Sequence, residues 1–322
     1  MPALRMAVMG CADIAVRRVM PAMAGSARVE LVALASRDAG KAAAAARPYG
    51  CRAVHGYQGL LDDPGVQAVY VPLPCALHAD WVEASLRAGK HVLAEKPLTP
   101  DPERAAELFA LARRHGLALM ENIMFLHHPL HAAVRDLMEQ GTIGEPRFFR
   151  AEFTVPRRAP DDIRYQSALG GGALLDTGVY PARAALHLVG PELTPVAAAL
   201  VRGPGFAVDT AGAAILRSPQ GVLVQLGFGL DHAYRSAYEL TGTRGRIVVD
   251  RAFTPPADHA PVLRLETGSG VEERRLAPYD QVAATLVVFA DAAAAGRSPD
   301  AHGSVRLAGL LHDIRERAGS TP

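Results

Sequence analysis

The 322-residue sequence predicts an α/β protein in two parts: an N-terminal doubly wound parallel sheet over 1–122, and a C-terminal α+β domain over 123–322 with a large, mostly antiparallel sheet. Three observations carry this reading. Short apolar runs alternate with helical segments as far as Asn122, the pattern of linked βαβ units. From Pro146 onward, long runs alternate in strand fashion instead. The length suits about two domains, and the 49% hydrophobic fraction is enough to bury two cores.

The elements follow in order. Arg5 to Met9 is an apolar strand leading into Gly10, and Asp13 to Met23 carries a helix-like pattern. Val29 to Ala35 is the second strand, ending at Ser36-Arg37. Asp38 is placed to cap the Ala-rich helix Ala39 to Arg47. Ala68 to Val71 is a strand followed by the loop Pro72-Leu73-Pro74, and His78 to Ala88 is helical. His91 to Ala94 is a short buried strand bounded by Gly89 and Pro97. Asp101-Pro102-Glu103 opens a helix with a cap, a first-turn proline and an early acid. That helix reaches about His115, and Leu117 to Met120 is the last strand of the first domain.

His131 to Gln140 is a further helix, ending at Gly141. The strand-like runs of the second domain are Arg147 to Val155, Val196 to Arg202, Ala211 to Leu216, Val222 to Gly229, Ser236 to Thr241, Arg246 to Asp250 and Val262 to Leu265. Helices Gln281 to Ala295 and Ser304 to Arg317 close the chain.

Composition narrows the function. A formal net charge of +1 with scattered arginines argues against a dedicated nucleic-acid binder. Three cysteines without Cys-x-x-Cys spacing fit a reducing compartment and offer no zinc framework. The N-terminus lacks a signal pattern, and no stretch reaches the ~18 apolar residues of a membrane helix. A soluble, cytoplasmic enzyme is expected, with neither membrane nor nucleic acid as partner. His127, His128 and His131 resemble a metal cluster, but no acid or cysteine completes it, so no metal is expected.

Three clusters carry candidate chemistry. Gly10-Cys11-Ala12-Asp13-Ile14-Ala15 sits where a G-x-G-x-x-G fingerprint would, with only the first glycine kept. The small residues still let a pyrophosphate approach backbone N–H groups. At the end of the second strand an NAD site places an acid for the ribose. Here stand Ser36 and Arg37, with Lys41 one turn on, a set suited to a 2′-phosphate; NADP is expected. Alternatively, Asp38 holds the ribose and Arg37 is solvated.

Glu95-Lys96-Pro97 places one of only three lysines at the carboxyl end of a strand, where open α/β sheets bind ligands. Lysine, unlike arginine, is tunable for proton chemistry; a structural ion pair is the other reading. The third cluster is Gly170-Gly171-Gly172 leading to Asp176 and Tyr180. These last two are four apart and share a helical face. Pro181 either kinks that helix or marks a start near Tyr180. Tyr180 also reads as a core residue with one satisfied hydroxyl. Arg157 and Arg158 either hold a phosphate or are solvated.

Together these clusters resemble the Gfo/Idh/MocA (glucose–fructose oxidoreductase / inositol dehydrogenase) family, over essentially the whole chain. The resemblance implies a Rossmann domain, a mostly antiparallel sheet domain, nicotinamide-dependent hydride transfer, and a homodimer or homotetramer. It implies cofactor contacts from Gly10, Cys11, Ala12, Asp13, Ile14, Ser36, Arg37, Lys41, Pro72, Leu73, Pro74, His78, Glu95, Lys96 and Arg164. Lys96, Asp176 and Tyr180 would be catalytic, and Phe125, His127, Arg157 and Tyr180 would meet substrate. Many members carry histidine at the position of Tyr180. Tyrosine there is similar to sugar 3-ketoreductases of deoxysugar biosynthesis and to dihydrodiol dehydrogenases, and Met9 to Ala15 with Arg17-Arg18 resembles the former. The implied activity is NADPH-dependent reduction at C3 of a dTDP-linked 3,4-diketo-2,6-dideoxyhexose, with Tyr180 as proton donor and Lys96 as its electrostatic partner. The alternatives are an NADP-dependent dihydrodiol or aldose dehydrogenase, and a silent NADP-sensing regulator. Ala12 and Ala15 in place of fingerprint glycines depart from the family pattern.

Overall fold

The computed structural model describes residues 2–320, which divide into two compact units. The first holds the residues up to 123 together with 282–305; the second holds 124–281 and those from 306. A single break at 122 was expected from the sequence, but residues 282–305 return to the first unit. The contacts explain this. Arg28 pairs with Asp291, Leu119 N–H donates to Ser298 Oγ at 3.0 Å, and Gly296 lies against the Gly116 backbone.

In the first unit, β1 (Leu4–Met9), β2 (Val29–Ser36), β3 (Arg52–His55), β4 (Ala68–Val71), β5 (His91–Ala94) and β6 (Leu119–Glu121) form one parallel sheet. Its order is β3-β2-β1-β4-β5-β6. The order reverses between β1 and β4, which opens a crevice at the carboxyl ends of the strands. β4 and β6 are buried at every residue, and β5 at three of its four, as expected of strands covered on both faces.

The helices include α1 (Met20–Ala24), α2 (Ala39–Ala46), α3 (Gln58–Leu61), α4 (His78–Arg87) and α5 (Pro102–Arg114). The Asp38 and Asp101 caps form: Asp38 accepts from Lys41 N, and Asp101 from Glu103 N and Arg104 N. The expected helix from Asp13 forms as one continuous helical stretch to Ala24, with a widened π-helical turn over Ala15–Val19 before α1. Neither β3 nor α3 was expected.

In the second unit, α6 (Pro129–Glu139) leads to β7 (Pro146–Thr154), and α7 (Val179–Leu188) to β8 (Thr194–Val201). β9 (Ala211–Arg217), β10 (Leu223–Gly229), β11 (Arg235–Gly242), β12 (Gly245–Asp250), β13 (Val262–Thr267) and β14 (Gly270–Arg275) follow. Then come α8 (Gln281–Ala294), which lies in the first unit apart from Gln281, and α9 (Ala301–Gly319), which belongs to the second unit from Arg306 onward.

The sheet order is β14-β13-β12-β11-β7-β10-β9-β8. β7 pairs antiparallel with β11 and parallel with β10, the one parallel pair in an otherwise antiparallel sheet. Alternate residues Phe149, Ala151 and Phe153 of β7 and Val224, Leu226 and Phe228 of β10 are buried against α7. Each large one contributes about 1.5–3 kcal/mol. His131 of α6 is buried in this core between the Tyr238 hydroxyl and Ala252 O, each at 3.0 Å. A neutral ring satisfies both by accepting from one and donating to the other. Burial, with His187 and His128 nearby, pushes its pKa down to about 3.

Candidate active site

The glycine turn after β1 is required by the backbone. Gly10 has φ +117°, a conformation L-residues avoid, and a Cβ there would stand 3.0 Å from Leu73 Cδ2. Its N–H donates to Ala35 O, tying the turn to the end of β2. The following residues expose Asp13, which pairs with Arg17, and leave Cys11, Ala12 and Ile14 half-buried. Burial pushes the Cys11 thiol up, against a lowering contact from the Ser36 hydroxyl.

At the end of β2, Ser36 is buried and Arg37 and Lys41 are exposed. The Asp38 carboxylate is spent on the α2 cap, and the Lys41 N–H bond holds its pKa below the usual range. An acid engaged in capping beside two exposed cations fits a cofactor carrying a 2′-phosphate.

At the end of β5, the Lys96-Pro97 peptide bond is cis. The turn is fixed by buried polar groups. Tyr70 OH and Asn122 Nδ2 both donate to Glu95 Oε1 at 2.6 Å, and Lys96 N donates to Glu95 Oε2 at 3.3 Å. Leu98 N donates to Glu121 Oε1 at 2.7 Å. His78, fully buried on α4, has Pro97 O at 2.8 Å and Leu73 O at 2.6 Å, one carbonyl at each ring nitrogen. Burial lowers its pKa, although only the imidazolium donates to both. Pro72, Leu73, His78 and Glu95 are thus buried and shape the turns, while Pro74 and Lys96 are part-exposed.

The triple glycine lies in the second unit. A Cβ on Gly171 would stand 2.5 Å from Arg164 O, and one on Gly172 would stand 2.5 Å from Asp209 Oδ1. The glycines let the backbone pass between those two segments. Arg164 O accepts from Gly172 N at 2.9 Å, and Asp209 Oδ2 accepts from Leu174 N at 2.7 Å. Burial raises the Asp209 pKa despite that bond.

A π-helical turn, Leu174–Gly178, then runs directly into α7, which begins at Val179 beside Tyr180, as one of the two sequence readings has it, with Pro181 in its first turn. Arg164 Nε donates to Asp176 Oδ2 at 2.8 Å, and Nη1 donates to Asp162 Oδ1 at 3.1 Å. Burial opposes the Arg164 charge, but the two carboxylates outweigh it and raise its pKa.

The Tyr180 ring is framed by Phe153 (4.8 Å between centroids), Phe253 (5.9 Å) and Phe125 (6.3 Å). Phe125 has no exposed surface and serves as a bed for that ring. His127 is part-buried, and burial with Arg183 nearby lowers its pKa to about 4. Arg157 is exposed, 3.7 Å from Asp231 and over the Phe206 ring.

Sequence reasoning missed Tyr70, Asn122, Phe153, Phe253 and Asp209. Asn122 had a local signal, as a polar residue ending an apolar strand; Tyr70 meets Glu95, Phe153 and Phe253 meet Tyr180, and Asp209 meets Leu174 only through tertiary contact within each unit. Among the described residues, no helix is long and apolar enough to cross a membrane.

A sequence profile of the Gfo/Idh/MocA oxidoreductase family, NAD-binding Rossmann fold, matches residues 4–123, and the profile of its C-terminal domain matches 131–248. The chain is 50% identical to a Streptomyces violaceoruber protein named dTDP-3,4-didehydro-2,6-dideoxy-alpha-D-glucose 3-reductase, covering 98% of this chain and 96% of that one. It is 52% identical to a Saccharopolyspora spinosa protein of the same name, covering 99% of both. The crystal structure of KijD10, a 3-ketoreductase from Actinomadura kijaniata in complex with NADP and TDP-benzene, superposes with a TM-score of 0.95 at 47% identity, covering 98% of both chains. With profiles matching both units and relatives at half identity along its length, this chain belongs to the Gfo/Idh/MocA oxidoreductase family.

Proposed function

We propose that the protein is an NADPH-dependent 3-ketoreductase acting on a dTDP-linked 3,4-diketo-2,6-dideoxyhexose. The observation that carries this is half identity over nearly the full length to proteins named for that reaction, in a chain that also keeps Lys96 and Tyr180. Gly10 and its neighbours would cradle the pyrophosphate, Ser36, Arg37 and Lys41 the 2′-phosphate, and Lys96 the nicotinamide ribose. When bound, NADPH supplies a hydride to the carbonyl carbon.

The carbonyl oxygen gains negative charge as that carbon is reduced. The Tyr180 hydroxyl donates the proton that completes the alcohol. Free tyrosine has a pKa of about 10, and the Lys96 ammonium favours the phenolate that remains. Asp176, its carboxylate oriented by Arg164, positions the sugar. A catalytically silent sensor would need no proton donor.

The test is NADPH consumption with a freshly generated 3,4-diketo sugar nucleotide, followed by single-turnover reduction in Tyr180→Phe. That variant keeps the ring in its aromatic frame, so folding and NADPH binding should survive. The rate should fall by ~10²–10⁴. Lys96→Ala should lower it too, and the double variant should be far from additive. A single-turnover rate equal to wild type in Tyr180→Phe would refute the proton-donor role.

A further inference from the structure

Arg251 is the one non-glycine residue with positive φ among the described residues, at +50° just after β12. Left-handed backbone is costly for a side chain with a Cβ, and such strain concentrates at ligand sites. Its guanidinium lies over the Tyr234 ring, 5.9 Å from the centroid. Tyr234, just before β11, is 44% exposed, a large aromatic left open to solvent. Arginines nearby in the chain are differently placed: Arg235 is bonded to Asp250 at 2.6 Å, and Arg157 stands by Asp231. Among the described residues no carboxylate pairs with Arg251.

The surface connects to the proposed proton donor. Tyr234 lies 6.3 Å from Phe153, and Phe153 lies 4.8 Å from Tyr180, ring to ring. In a nucleotide-sugar the anomeric phosphate leaves the ring two carbons from C3, and the nucleoside lies beyond it. With C3 at the Tyr180 hydroxyl, two aromatic steps lead toward where a diphosphate and base would lie. A planar guanidinium without a carboxylate matches phosphate oxygens in a two-pronged hydrogen bond. An exposed aromatic ring offers a stacking face to a nucleobase.

We propose that Arg251 and Tyr234 form the subsite for the nucleoside diphosphate end of the substrate, Arg251 binding phosphate and Tyr234 stacking the base. This rests on the nucleotide-sugar reading above. It moves the phosphate contact from Arg157, the sequence candidate, to Arg251.

Arg251→Gly separates function from structure, because glycine relieves the backbone strain while removing the cation. Calorimetry with thymidine diphosphate, on the NADPH-loaded protein, should show affinity about ten- to a hundredfold weaker than wild type. The melting temperature should hold or rise. Tyr234→Leu should weaken thymidine diphosphate by about tenfold and leave inorganic pyrophosphate unaffected, whereas Arg251→Gly should weaken pyrophosphate. In turnover both variants should raise KM and keep kcat, since neither group reaches C3. Wild-type affinity for thymidine diphosphate in Arg251→Gly would overturn the subsite alone. A wild-type protein that does not bind thymidine diphosphate would overturn the subsite and the nucleotide-sugar reading together.

Discussion

Replacing Glu95 with alanine tests whether the turn that carries Lys96 is held by buried hydrogen bonds. The carboxylate accepts from Tyr70 OH and Asn122 Nδ2, both at 2.6 Å. Tyr70 is 0% exposed and Asn122 3%, so bulk solvent reaches neither donor in the folded protein. Taking the acceptor from a buried donor costs about 1–3 kcal/mol, so the loss of both bonds to Glu95 should cost up to about 2–6 kcal/mol. That is a large share of the ~5–15 kcal/mol stability of a typical protein. Glu95→Gln keeps one oxygen acceptor and should cost less. Tyr70→Phe and Glu95→Ala remove the two ends of one hydrogen bond, so the pair should be less destabilising than the sum of the singles. Urea unfolding followed by fluorescence of Trp81, the single tryptophan, reports on the first unit. A loss below about 0.5 kcal/mol in Glu95→Ala, or full additivity with Tyr70→Phe, would refute the reasoning.

NADPH should bind more tightly than NADH, and Arg37→Ala should erase most of that preference, a loss of roughly one to two decades for one charge-assisted contact; equal wild-type affinities by calorimetry would exclude the assignment. Gly171→Ala should destabilise by about 1–3 kcal/mol, because its Cβ would meet Arg164 O, and thermal unfolding with a wild-type midpoint would contradict this. Histidines 127, 131 and 187 have pKa values lowered to about 4, 3 and 4 by burial and neighbouring cations, so the unfolded chain takes up their protons first as pH falls. Their contribution is complete above pH ~6.5 and declines below it, by up to about 1.4 kcal/mol per pH unit for each histidine titrating; Asp209, with its raised pKa, acts in the opposite sense at the acid end. Urea midpoints at pH 7 and pH 5 should differ accordingly, and His131→Gln should flatten the slope.

The local signals in the chain were sufficient for β1, β2, β4 and β5, for the Asp38 and Asp101 caps, and for Lys96 at a strand end. Each is written in a few adjacent residues: an apolar run, a capping acid, a proline. The family resemblance is carried by such short runs too: the Gly10 turn, Glu95-Lys96-Pro97, and the triple glycine to Tyr180.

Where a neighbour decides, the sequence was silent. β3 is mostly exposed and β14, Gly-Val-Glu-Glu-Arg-Arg, wholly so; neither has an apolar face to mark it, and each is a strand because an adjoining strand offers its edge. The return of residues 282–305 to the first unit and the parallel β7–β10 pair depend on chain crossovers that no local pattern encodes. The same holds within the site. Glu95 acquires its role from Tyr70 and Asn122, 25 and 27 residues away. Arg164, expected at the cofactor, has its side chain bonded to Asp176 and Asp162. The left-handed backbone of Arg251 has no sequence signature, because glycine and asparagine are the residues that advertise that conformation. A hydrogen bond or a strained dihedral is set by what folding brings within reach, and only the tertiary structure holds that information.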